Sequence, residues 1–242
     1  MKLDLTKYGY NPKELNTYLI LLSAPVLLSV YYYFGYSHFY MQTFVKDLLE
    51  SPLGEFNSRI YQFVSFFILM FVLPAVFLKP RIGMSFTELG MGLGDKKFGF
   101  KLVAIILPIL IPVMYFATNA PDIIAEYPLS KTLYQRPDLV FPYELAYILF
   151  YYIAWEFYFR GFLLFSLERK FGGINAILIQ TISSCLIHIG KPAGETIGSI
   201  IVGVIFGYLA LRTRSIWYVL ILHVAIGVST DLYVLFFHGV AR

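Results

Sequence analysis

At 242 residues, the chain is 58% hydrophobic and only 14% charged, with a mean hydropathy of +0.69. That balance excludes an ordinary water-soluble domain, and a net charge of +4 is too small to call for nucleic acid. Its one cysteine, Cys185, excludes a disulfide framework and a thiol metal cluster, and within an apolar run it reads as an inert small hydrophobe.

The polar start MKLDLTKYGYNPKELN leads into a first apolar run at 17–36. The run is too long for a signal-peptide core and lacks a small-residue cleavage site, so it reads as a retained span. The segment 37–58 carries apolar residues at helical spacing and is expected to lie in the interface as an amphipathic helix, or to form a partly inserted eighth span. Further spans of roughly the 20 residues a bilayer requires are expected at 60–79, 100–118, 141–165, 174–189, 195–211 and 215–237. The fifth and sixth are short and are separated by a tight break at Gly190-Lys191-Pro192. The fold class is therefore an all-α polytopic transmembrane bundle of about seven or eight helices. Its 23 Phe and 20 Tyr suit interfacial belts.

Two smaller patterns have packing readings. The Gly-rich stretch 80–98 (PRIGMSFTELGMGLGDKKF) lacks both dinucleotide and P-loop spacing, and is expected to be a cytoplasmic loop with a short helix. Ser199, Gly203 and Gly207 form a small-residue stripe that lets another helix approach closely. Lys and Arg divide by side. The N-tail and the second, fourth and sixth loops hold twelve, while Lys46, Arg59, Lys131, Arg136, Lys191 and Arg242 fall opposite. The N-terminus is thus expected in the cytoplasm and the C-terminus outside.

Against this apolar background, Glu156 and Arg160 stand inside the fourth span, FPYELAYILFYYIAWEFYFRGFLLF. Each costs about 2.5–3.5 kcal/mol at the bilayer centre, so intramembrane charges are functional candidates by default. At i,i+4 they share a helix face and neutralise one another. His188 and His223 are the central polar groups of two further spans. Each taken alone reads as an ion pair or a satisfied core histidine; together they read as one polar centre. Glu144, His38 and His238 are expected near span ends, and Lys191 and Arg169-Lys170 in headgroups.

The segments WEFYFRG (155–161), HIGKPAGE (188–195), GVIFG (203–207) and SIWYVLILH (215–223) together resemble the CAAX-protease and bacteriocin-processing (Abi) family of intramembrane proteases, related to type II CAAX prenyl endopeptidases. The resemblance covers about 140–235. It divides a single membrane domain into N-terminal helices and loop at 1–130 and a catalytic helix core at 131–242. It implies a membrane endopeptidase acting on a membrane-embedded or lipidated polypeptide, in a prokaryotic plasma membrane and without nucleic acid. The family pattern is Glu-Glu-x-x-x-Arg, Phe-x-x-x-His and His-x-x-x-Asn/Asp. Glu156, Arg160, His188 and His223 match it, while Trp155 stands for the first Glu, Ser184 for the Phe and Gly227 for the Asn/Asp.

Amide hydrolysis needs a base for water and donors for the oxyanion. Glu156 is the expected base, Arg160 its orienting partner, His188 a water holder and His223 the oxyanion donor. Glu195, Thr230 and Asp231 are supporting candidates, Asp231 toward a membrane edge. Glu156, His188 and His223 would also supply a zinc ion with an open position, so a metal-free site and a Zn2+ site both stand. Two other readings compete: a catalytically lapsed scaffold or immunity-type binder, fed by Trp155 and Gly227, and a proton relay or transporter, for which no inverted repeat is visible. The four residues are expected to converge on one cavity open to the cytoplasm or the lipid.

Overall fold

An almost uniformly apolar chain can satisfy its backbone in lipid only by coiling into helices. The computed structural model, which describes residues 5–45 and 53–238, is helical throughout its ordered elements. Six helices are long and apolar enough to cross a membrane: α1 (Pro12–Gly35), α3 (Gly54–Ile82), α4 (Thr87–Ala117, regular from Lys96), α6 (Pro137–Phe171), α8 (Ala193–Thr213) and α9 (Trp217–His238). Between them lie α2 (Ser37–Phe44), α5 (Pro121–Glu126) and α7 (Gly173–Leu186). The protein is an integral membrane protein.

The segment expected at the interface begins with a short helix, α2, and ends in the first turns of α3, while its residues 46–52 lie outside the described residues, as do Lys2 and Arg242. The expected fifth span is corrected. Its helix, α7, has 14 residues, about 21 Å at 1.5 Å each, against a hydrocarbon core of about 30 Å. It stops early because Gly190, at φ +97, and Pro192 turn the chain.

Four ion pairs gather the turns onto one face. Lys170 pairs with Glu14 at 2.6 Å, Arg169 with Glu88 at 2.7 Å, Arg212 with Asp95 at 2.9 Å and Arg214 with Glu168 at 2.5 Å. The N-tail and the second, fourth and sixth loops thus lie together, the grouping read from the Lys and Arg count. The other face collects Glu55, Ser130 and Thr132, and the pairs Lys191–Glu126 and Lys191–Glu195. Lys191 is therefore an ion-paired, largely buried residue rather than a headgroup anchor.

The core centres on α6, whose central window is 78% buried while every other span keeps a broad lipid-facing side. Tyr31, Phe66, Met70 and Leu89 from the first 130 residues pack with Trp155, Phe157, Phe159 and Phe162 of α6. The Gly-rich stretch is a strap on this core. Ile216 N–H donates to Gly90 O (2.9 Å), the Trp217 indole to Met91 O (2.7 Å) and the Tyr218 hydroxyl to Leu93 O (2.7 Å). Leu89 O approaches Gly161 so closely that a Cβ there would stand 2.8 Å from it. The glycines serve close backbone packing. The small-residue stripe does likewise: Gly203 and Gly207 face Thr181, Gln180 and Ile177 of α7, and Gln180 Nε2 donates to Gly203 O at 2.8 Å.

Candidate active site

Three elements meet at the middle of α6. Beyond Glu156 the helix widens into a π-helical stretch, Phe157–Leu163, which keeps Glu156 and Arg160 on one side. Glu156 is fully buried, and Arg160 Nε lies 3.6 Å from its Oε2. From α9, His223 Nδ1 reaches Glu156 Oε1 at 2.6 Å. A carboxylate can only accept, so Nδ1 carries the proton and donates, leaving Nε2 bare in the neutral ring. From the end of α7, His188 Nδ1 donates to Ser184 O at 2.8 Å, which likewise leaves its Nε2 bare. Ser184 thus holds the second histidine through its carbonyl.

Both histidines pack on one indole. Trp155 packs edge-to-face against both, with ring centroids 5.2 Å from His188 and 5.8 Å from His223. Tyr152 at 4.9 Å and Phe206 at 6.1 Å complete the aromatic wall around His223. Each histidine side chain keeps slightly under a fifth of its surface accessible. Several buried polar atoms are left over: the Trp155 indole N–H, Arg160 Nε and Nη1, and Glu156 Oε2 have no hydrogen-bond partner. Buried unpaired donors are costly, and a substrate acceptor would satisfy them.

Toward the second face the polarity continues. Glu195, in the first turn of α8, has Oε1 4.0 Å from His188 Nε2. The Tyr127 hydroxyl donates to both Glu195 oxygens at 2.9 Å, and Lys191 Nζ donates to that hydroxyl at 2.9 Å. Burial, and after it the Glu195 carboxylate, push the Tyr127 phenol well above its ordinary range, so it stays a donor. This cluster leads away from the Lys/Arg-rich face.

Other expectations are corrected. Thr230 turns its hydroxyl onto Ile226 O of its own helix at 2.8 Å rather than toward the centre. Asp231 is 2% exposed, not at a membrane edge, and Glu144 is 8% exposed rather than interfacial. The two carboxyls face one another, and none of their four oxygens takes a hydrogen bond from any other group. The zinc donor set does not assemble: among the described residues no three His, Cys, Asp or Glu side chains converge to hold an ion. Both histidine rings lie against the Trp155 indole, and His223 already occupies Glu156 Oε1. Tyr152 was missed, although its place one turn before Glu156 put it on the same face.

Residues 137–229 match the family model described as Type II CAAX prenyl endopeptidase Rce1-like. The match spans 93 of the 242 residues, so this segment is similar to that family. The matched range contains all four of Glu156, Arg160, His188 and His223. Comparisons with curated proteins and with solved structures find no match.

Proposed function

We propose that this protein is an intramembrane endopeptidase that hydrolyses a peptide bond of a membrane-embedded or lipidated polypeptide. The carrying observation is the 2.6 Å contact between His223 Nδ1 and the fully buried Glu156, within the segment that matches the Rce1-like family.

The contact reverses the roles expected from the sequence. Glu156 fixes the tautomer and direction of His223, and His223 Nε2 is the base. It takes a proton from water as the water oxygen bonds to the scissile carbonyl carbon. The unpartnered Arg160 donors face the charge that develops on the carbonyl oxygen. The proton on Nε2 then passes to the departing amine as the C–N bond breaks. His188, through its bare Nε2, holds the water or the substrate beside Trp155. No step is routed through a metal.

The Lys/Arg excess on the first face supports an N-terminus in the cytoplasm, and the membrane is read as a prokaryotic plasma membrane. In that orientation the Glu195–Tyr127–Lys191 cluster belongs to the outer half, and substrate enters there or sideways from lipid, not from the cytoplasm. The competing reading, a lapsed member that binds a membrane partner, is favoured by Trp155 and Gly227. Purified full-length protein in lipid vesicles, incubated with a prenylated peptide, separates the two. Cleavage that His223→Gln abolishes supports the protease, and intact peptide with folded wild-type protein supports the binder.

A further inference from the structure

Gly227 lies one turn beyond His223 on α9, and its missing side chain is filled from another helix. A Cβ built at Gly227 would overlap the Tyr152 hydroxyl, with the adjacent ring carbon only 2.6 Å away. Tyr152 is 4% exposed and comes from α6, one turn before Glu156. Its ring stands edge-to-face on the His223 imidazole, at 4.9 Å and 71°. Behind it, Tyr147 packs at 4.6 Å and Tyr151 at 6.1 Å, so the phenol has no room to swing away from α9. His223 is thus fixed at two points: Nδ1 by Glu156, and the ring by a tyrosine lodged against the bare backbone of Gly227.

We propose that Tyr152 is a positioning residue for His223, held in place by the absence of a side chain at Gly227. This rests on the reading of His223 as the base. Glycine at 227 then marks a site in which a tyrosine of α6 does the locating work that a side chain on α9 would otherwise do. Close packing explains why the two positions act together: interiors have no spare volume, so any side chain at 227 must expel the phenol. Residues acting on one contact are expected to be non-additive when changed together.

The test is the Nδ1–H resonance of His223 in full-length, 15N-histidine-labelled protein, assigned by its loss in His223→Gln. Gly227→Ala and Tyr152→Leu should each shift or erase it, and Tyr152→Leu/Gly227→Ala should go no further than either single change. Tyr152→Leu needs no new space, so it keeps the test open if Gly227→Ala fails to fold. An unchanged resonance in folded Tyr152→Leu overturns the proposal, as do additive shifts in the double variant. Glu156→Gln separates the levels. If the resonance ignores that change, the Glu156–His223 reading has failed; if it responds to Glu156→Gln but not to Tyr152→Leu, only the present inference has.

Discussion

His223 Nδ1 and Glu156 Oε1 lie 2.6 Å apart, while the other oxygen of Glu156 faces Arg160 at 3.6 Å and has no hydrogen-bond donor. One carboxylate therefore holds an imidazole of α9 and offsets a cation on its own helix. Removing it should affect chemistry and stability through different partners.

For chemistry, His223→Gln should lower peptide cleavage about 10²–10⁴-fold, the usual contribution of a positioned base. Glu156→Gln leaves an amide that still accepts from Nδ1–H, so part of the orientation survives and its loss should be the smaller. Initial rates on one substrate compare the two, and a larger loss in Glu156→Gln would return the role of base to Glu156.

For stability, Arg160→Met strands Glu156, and breaking a buried pair from one side costs about 3–5 kcal/mol. The double variant Glu156→Gln/Arg160→Met, with no buried charge, should regain most of the lost thermal stability while remaining inactive. Unfolding midpoints in detergent read this directly. A double variant as unstable as Arg160→Met alone would show that the guanidinium is held by its rings, Phe159 and Phe206, each 6.0 Å away, rather than by the carboxylate.

The Glu144–Asp231 pair should behave in the opposite way. Two facing buried carboxyls share a hydrogen bond only while one keeps its proton, and Glu144→Gln supplies an N–H to Asp231 without one. The substitution should raise stability by about 1 kcal/mol, the worth of one hydrogen bond. Destabilisation would mean that the pair holds something the protein needs.

Because no three ligand side chains converge among the described residues and His223 already occupies Glu156, chelation should leave activity unchanged, and purified protein should carry less than one zinc per chain. Elemental analysis together with cleavage after chelator dialysis checks this. Stoichiometric zinc whose removal abolishes cleavage would require the two histidines to close around Trp155.

The fold was legible because lipid leaves the backbone few choices, and apolar runs with flanking charges mark spans directly. The same patterns located Glu156, Arg160 and His223, since a charge in such a run has no bland surface to occupy. Three features were not legible. The length of α7 depends on where Gly190 and Pro192 turn the chain in space. The burial of Glu144 and Asp231 depends on each facing the other across two helices. The seating of Tyr152 on Gly227 is a relation between residues 75 positions apart. In a chain with 20 tyrosines, only its place one turn before Glu156 marks that one, and nothing in the sequence pairs it with Gly227.

The most direct test of glutamate-supported proteolysis is to compare the termini of membrane proteins in cells carrying wild-type protein or Glu156→Gln at equal abundance. The account predicts new termini in wild-type cells that fade or disappear with the substitution, and those termini would name the substrates. Identical termini in both would contradict it and leave Glu156 as the structural partner of Arg160 and His223.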